Sequence, residues 1–320
     1  MSASPLAASG LLVGLAYGYA AQRGAFCMNS GFRVAATRRD LTKVKALLLA
    51  VAIQAVALPV LFAAGLPRPG AMPFQPIGAV VGGLAFGAAM KSASGCAAGA
   101  WYKLGGGSLP ALFVFFGITA GAALAGVALP SLPLPAWSLP APPAWLAPLV
   151  GVGVLVGLAF AAPGKAGAWS WRKAGTVIGI IALGAWPLSA LAGRDFGVAV
   201  IPGAVALLGA PASPSAALSW DALFVLGIPA GAWAAARRDG PVKLKVGSRA
   251  ELGKALIAGL VLGASAALAK GCTVGHGLAG LPILSAQSIA TMAAIFAGSA
   301  LVALRDERRA ADARAAGTPA

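Results

Sequence analysis

Apolar segments of about 17 to 22 residues recur along this chain, and they restrict its possible folds more than any other feature. An α-helix rises 1.5 Å per residue, so a segment of this length spans the ~30 Å hydrocarbon core of a bilayer. Hydrophobic residues make up 59% of the chain and charged residues 10%, whereas soluble domains average about 25% charged residues. A transmembrane β-barrel would need alternating segments of about ten residues, and the sequence has none. The sequence therefore predicts an all-α polytopic membrane protein that lies in a lipid bilayer.

Nine segments are predicted to cross the membrane. They lie at about 5–22, 45–65, 76–91, 108–129, 147–163, 174–192, 219–236, 254–270 and 284–304. With the N-terminus outside, 21 of the 24 Lys and Arg residues fall on the cytoplasmic side, as the positive-inside rule prefers. The exceptions on the outer side are Arg68, Arg194 and Lys270. The net charge of +16 is thus explained by membrane topology, and nucleic acid is not a predicted partner.

Three stretches repeat one pattern, and together they contain every cysteine of the chain. In each, Gly-Leu-x2-Gly on an apolar helix is followed, after eight further residues, by a cysteine at a Gly-rich break. The copies are Gly14-Leu15-x2-Gly18-x8-Cys27, Gly83-Leu84-x2-Gly87-x8-Cys96 and Gly259-Leu260-x2-Gly263-x8-Cys272. A weaker fourth copy starts at Gly157-Leu158 and has Ser170 at the cysteine position.

Short apolar pieces after two of the cysteines are predicted to be re-entrant helices, and residues 198–208 are a candidate half-helix. Seven prolines between 130 and 148 predict an outer loop. This loop divides a single domain, 1–320, into halves of about 1–130 and 148–304, and a disordered tail is expected at about 306–320. On this topology Cys27 and Cys96 follow helices that run inward, whereas Cys272 follows one that runs outward. Such opposed copies of a broken helix predict an inverted pseudo-repeat.

The breaks are predicted to line a transport pathway. Irregular backbone at membrane depth is tolerated only where it is buried in protein or faces a water-filled cavity. The free N–H groups of a short helix favour an anion, and a thiol in apolar surroundings stays neutral and can donate a weak hydrogen bond. The predicted pathway residues are the three cysteines together with the neighbouring residues Gly95, Gly99, Gly271, Gly275 and His276.

Simpler interpretations stand beside this one. A single cysteine in an apolar helix is usually a small core residue, although three in one register favour a function. His276 lies four residues after Cys272 and could bind a metal with it, but no carboxylate is near, and neither a metal nor a cofactor is predicted. Lys91, Lys103 and Lys270 flank the motifs and either attract an anion or extend toward the headgroups.

The residues around the breaks resemble the YeeE/YedE family of bacterial membrane proteins. The resemblance rests on Arg23-Gly24-x-Phe26-Cys27-Met28, on Ser94-Gly95-Cys96-x2-Gly99 with Leu104-Gly105-Gly106-Gly107-Ser108, and on Gly271-Cys272-x2-Gly275-His276-Gly277-Leu278-x-Gly280-Leu281. It implies thiosulfate uptake across the cytoplasmic (inner) membrane and an hourglass-like inverted fold of nine spans with re-entrant elements. It also implies that Cys27, Cys96 and Cys272 relay the anion through S–H hydrogen bonds without a covalent step. Some members act with a separate sulfur-carrier protein of the TusA type.

Other functions remain open at this stage. A membrane thiol oxidoreductase would use two cysteines as a redox pair, but it normally needs a C-x2-C pair and a quinone or flavin site, and the sequence shows neither. A transporter of another sulfur or selenium species, or of a soft metal bound through His276, is a further alternative. The leading prediction is a thiosulfate transporter and not an enzyme.

Overall fold

The computed structural model describes residues 6–70, 73–129, 134–209 and 214–315. These residues are mostly helical, and the strands among them form one small antiparallel hairpin, Lys165–Ala166 (β1) with Trp169–Ser170 (β2). Within the described ranges, five helices are long and apolar enough to cross a membrane. They are Thr42–Ala63, Leu109–Ala128, Trp171–Leu191, Arg249–Ala269 and Ala286–Ala315.

Four times along the described chain, a long helical segment ends at a break, a short helix follows the break, and another long helix returns. The first unit consists of α1 (Ala8–Arg23), α2 (Met28–Arg38) and α3 (Thr42–Ala63). The second consists of a π-helical turn (Gly78–Gly82) that continues into α4 (Gly83–Ala89), then α5 (Ala97–Gly105) and α6 (Leu109–Ala128). A separate helix, α7 (Leu146–Ala159), connects the second unit to the third.

The last two units follow the same plan with different spacings. The third consists of α8 (Trp171–Leu191), α9 (Ile201–Gly209), the single turn α10 (Pro214–Ala217) and α11 (Trp220–Arg237). The fourth consists of α12 (Arg249–Ala269), a π-helical segment (Gly275–Gly280) with a 3₁₀ turn (Leu281–Ile283), and α13 (Ala286–Ala315). Helices therefore overlap all nine predicted spans, and α9 lies where the half-helix was predicted.

The end of the chain differs from its prediction. A disordered tail is predicted from about 306, but α13 continues to Ala315, and residues 316–320 lie outside the described part. Asp306 on this extension forms ion pairs with Arg33 of α2 (3.3 Å) and with Lys91 (2.6 Å). These ion pairs hold the polar end of α13 against α2 and Lys91. The composition of the tail does not reveal such contacts.

The glycines of the repeated motif lie where long helices cross closely. An ideal Cβ at Gly14 of α1 would fall 2.9 Å from the carbonyl carbon of Phe224 in α11. One at Gly259 of α12 would fall 2.9 Å from the Cα of Gly117 in α6. Small residues allow such close packing of helix backbones in a membrane, where apolar side chains gain little by leaving lipid. The glycines of the motif therefore serve packing, while the cysteines lie at the breaks.

The helix contacts occur in matched pairs. Helix α1 packs on α11 as α3 packs on α8, and α6 packs on α12 as α4 packs on α13. Among the short helices, α2 packs on α13 as α9 packs on α6. If the first unit is exchanged with the third and the second with the fourth, each of these contacts becomes the other contact of its pair. At the centre of this arrangement lies one buried cluster that includes all three cysteines.

Candidate functional site

The three cysteine breaks share one backbone geometry. In each, the residue two positions before the cysteine has a left-handed conformation, with φ of 43° at Ala25, 54° at Ser94 and 65° at Lys270. The residue directly before the cysteine donates its N–H to the carbonyl five residues earlier. These bonds are Phe26 to Ala21 (2.9 Å), Gly95 to Met90 (3.0 Å) and Gly271 to Ala266 (2.8 Å). Such a turn closes the end of a helix and redirects the chain, so the equal spacing of the three motifs reflects equal structures.

Each cysteine is the residue that starts the following short helix. Its carbonyl accepts the N–H four residues further on at 2.9 Å, from Gly31, Ala100 and His276 respectively. Each sulfur also lies against the N–H three residues further on, those of Ser30, Gly99 and Gly275. For Cys27 and Cys96 this contact is weaker than a regular capping hydrogen bond. The thiols thus lie at helix N-termini, where unpaired N–H groups favour negative charge.

The fourth break carries a valine instead of a cysteine. Val200 precedes α9 and accepts the N–H of Ala204 at 3.0 Å, as each cysteine does in its own unit. The prediction that Ser170 occupies this place is wrong, because Ser170 begins α8 and its Oγ accepts the N–H of Lys173 at 3.2 Å. The break between α8 and α9 spans residues 192–200. This longer break hides the correspondence from a search at fixed spacing.

The structure brings the cysteines together. An ideal Cβ at Gly99 would lie 3.5 Å from both the Cys27 and the Cys96 sulfur, so these two sulfurs are no more than 7.0 Å apart. The Cys96 thiol lies beside the hydroxyl of Thr273, the residue that follows Cys272. All three are free and buried. The missing side chain of Gly99 therefore leaves space between the Cys27 and Cys96 thiols. The third cysteine, Cys272, directly precedes Thr273, whose hydroxyl lies beside Cys96.

Polar side chains outside the predicted set of site residues lie around the thiols. The hydroxyl of Tyr102 lies beside the Cys27 thiol. Tyr17 is 1% exposed and lies within electrostatic range of all three cysteines. Among the described residues, Asn29 Oδ1 and Thr273 Oγ1 are buried without a regular hydrogen bond. A buried polar atom normally has a partner, so these atoms are available to a polar ligand. In the sequence, these residues could have been recognised as polar residues within the apolar segments next to the cysteine motifs.

His276 lies in the wall of the site with both ring nitrogens engaged. Its Nε2 is 3.1 Å from the carbonyl of Ala269, and its Nδ1 is 2.9 Å from the Ser288 hydroxyl. A carbonyl only accepts, so Nε2 donates its proton to Ala269 and Nδ1 accepts from Ser288. Gln287 donates to the same carbonyl at 2.9 Å. Both side chains therefore hold the end of α12. The described residues contain no group of three or more His, Cys, Asp or Glu that could hold a metal ion.

A cavity of 390 Å³ reaches Cys272. The predicted site residues Gly271, Gly275 and His276 line it, and so do Val200 and two basic residues, Arg194 and Lys270. Another cavity, of 310 Å³, has mainly apolar walls with Arg68 at its edge, and no cysteine lines it. The 390 Å³ cavity, which Cys272 lines, is therefore the candidate site.

Two lysines, Lys103 and Lys43, lie near Cys27. Lys103 Nζ donates to the carbonyl of Ser94, the left-handed residue of the second break. Lys43 Nζ donates to Ser30 Oγ at 2.6 Å. Both ammonium groups act electrostatically on Cys27, and the effect of Lys103 is the larger. Cationic groups therefore lie near Cys27 as well as in the cavity that Cys272 lines.

The family profile described as sulphur transport matches residues 23–163 and 155–301, which is most of the chain. This chain belongs to the YeeE/YedE sulphur transport family. Among similar family members, the thiosulfate transporter TsuA of Escherichia coli is 30% identical over 96% of this chain and 98% of its own length. The thiosulfate transporter TsuA of Spirochaeta thermophila is 30% identical over 88% of this chain and 93% of its own length. The resemblance predicted from the motifs is confirmed, and the apolar helices identify a multi-pass membrane protein of this family.

Proposed function

We propose that this chain imports thiosulfate across the bacterial cytoplasmic membrane along a path lined by Cys272, Cys96 and Cys27. The observation that carries the proposal is the convergence of three identically built breaks on one buried cluster. A break at membrane depth that is not exposed to lipid is typical of a transport path. The substrate comes from the relatives, two of which are named thiosulfate transporters.

The proposed architecture has nine spans, an outer N-terminus and a cytoplasmic C-terminus. Each of the four units contributes two spans, and α7 contributes the ninth. In this orientation the first two units are inverted relative to the last two, which forms an hourglass with the cysteines near its waist. The matched helix contacts support the inversion, and so does the excess of Lys and Arg on the inner side.

In this mechanism the anion moves from one neutral hydrogen-bond donor to the next. An anion at Cys272 would next meet Thr273 and Cys96, and then the position beside Gly99 between Cys96 and Cys27. Thiols and helix N-terminal N–H groups donate to the anion without adding negative charge, so it stays bound weakly enough to move on. The path needs no covalent step and no cofactor, and the chain acts as a transporter and not an enzyme. A separate TusA-type sulfur-carrier protein on the cytoplasmic side is the proposed protein partner.

One observation favours a second candidate, a thiol oxidoreductase. The Cys27 and Cys96 sulfurs lie within 7.0 Å, close enough for a modest movement to join them. A stable Cys27 to Cys96 disulfide in protein purified without reductant, found by mass spectrometry, would support this alternative. The transport proposal expects the thiols to remain free.

Uptake of labelled thiosulfate into proteoliposomes tests the proposal. Cys96→Ala removes the middle donor and should abolish uptake, while Gly184→Ala should leave it unchanged, because a Cβ there meets nothing within 4 Å. Wild-type protein that moves no thiosulfate would disprove the proposed function. Full uptake by Cys96→Ala would disprove the relay alone.

A further inference from the structure

Two basic residues, Arg194 and Lys270, line the cavity that Cys272 also lines. Arg194 is already paired with a carboxylate. Its guanidinium pairs with Asp221 at 2.8 Å and lies 4.7 Å from the centroid of the Trp220 ring. It also donates to the carbonyls of Phe196 and Gly197. Arg194 therefore braces the wall of the cavity and carries a compensated charge.

Lys270 differs in each of these respects. Its side chain is exposed and lines the same cavity as Cys272. Within the described part of the chain, its ammonium group has no ion pair and no hydrogen bond. The remaining nearby carboxylate, Asp195, interacts with Arg194 and does not line the cavity. Lys270 is thus the uncompensated positive charge in this wall.

The backbone at Lys270 gives a second, independent reason to assign it a role. Its φ of 65° is in the left-handed region, where a side chain costs about 1 kcal/mol and glycine costs nothing. A cation at a helix C-terminus recovers part of that cost. The equivalent residues Ala25 and Ser94 adopt the same turn without a charge. The turn therefore does not require a lysine.

We infer that this cavity captures the substrate from the outer solution, and that Lys270 holds a small divalent sulfur oxoanion against the Cys272 thiol. The inference rests on the proposed function. The rest of the wall includes apolar residues such as Val200, Ile201 and Pro202, and a charge acts more strongly beside apolar walls than in open water. Attraction between exposed charges is screened within about 10 Å at 0.1 M salt, so capture depends on ionic strength.

Substitution of Lys270 by glycine tests this role without straining the fold. Glycine suits the left-handed turn, so the melting temperature of Lys270→Gly should equal or exceed that of the wild type. Its KM for thiosulfate in proteoliposomes should rise about tenfold, a factor that corresponds to ~1.4 kcal/mol. The maximal rate should change less than twofold, and the KM should depend less on salt. Lys270→Arg should restore both properties.

Arg68→Gln is the matched control, because it removes one positive charge from the same predicted side but lines the other cavity. Its KM should remain that of the wild type. A wild-type KM and salt dependence in Lys270→Gly would overturn the inference, while wild-type uptake would leave the proposed function standing. If Lys270→Gly does not purify as folded protein, Lys270→Asn provides the same comparison, because asparagine tolerates the left-handed conformation.

Discussion

Replacing Gly99 with alanine separates transport from stability more cleanly than removing a cysteine does. The added Cβ would lie 3.5 Å from both the Cys27 and the Cys96 sulfur, which is ordinary van der Waals contact. Gly99 lies inside α5 and its φ is not positive. Alanine should therefore fit, and it should stabilise the helix by up to about 1 kcal/mol.

The same methyl group occupies the place that an anion bonded to both thiols would need. We expect the uptake rate of Gly99→Ala to fall at least about tenfold, which means a barrier raised by at least ~1.4 kcal/mol. The assay is initial uptake of labelled thiosulfate into proteoliposomes, paired with thermal unfolding in detergent. Gly184→Ala, whose Cβ meets nothing within 4 Å, controls for a glycine lost from a helix. Rapid uptake by a stable Gly99→Ala protein would show that the anion does not pass between these sulfurs.

Four further predictions follow from the packing and the electrostatics. Val200→Cys should fold normally and increase thiosulfate affinity about two- to fivefold, because it adds a donor at the fourth break; unchanged uptake would place Val200 off the path. Gly14→Ala should lower stability by about 1–3 kcal/mol in thermal unfolding, since its Cβ would crowd the Phe224 carbonyl. Arg194→Gln should destabilise the protein by about 1–3 kcal/mol, because it leaves the mostly buried Asp221 unpaired; an unchanged melting temperature would contradict this. Hydrogen bonds from the Thr42 hydroxyl and N–H hold the pKa of Asp40 below its usual range. A lowered pKa contributes stability above the unfolded value of about 4 that is lost at lower pH, so Asp40→Asn should melt slightly below the wild type at pH 7 and together with it near pH 3.

The sequence was sufficient for the features that repeat. Long apolar segments predicted the helices, and the equal spacing of Gly-Leu-x2-Gly and cysteine predicted three equal breaks. The breaks do share one backbone turn, with Ala25, Ser94 and Lys270 in the same conformation. Local patterns were enough here because each break is a local structure, closed by bonds within six residues.

Features that depend on contacts distant in sequence escaped prediction. Val200 was missed because its break is longer than the others, so fixed spacing pointed to Ser170. Tyr17 and Tyr102 belong to separate helices, and only the fold brings both beside the cysteines. The helical end of α13 depends on a pairing with Arg33, which is 273 positions away. No local pattern encodes such a contact.

The ion pairs of Asp306 have a mechanical consequence for three of the four units. This one carboxylate, on the helix that completes the Cys272 unit, binds Arg33 beyond Cys27 and Lys91 before Cys96. It therefore joins the three cysteine-bearing units by a single crosslink of charges. A movement that displaced α2 alone would have to break the ion pair between Arg33 and Asp306, so these contacts favour a shared movement of the three units.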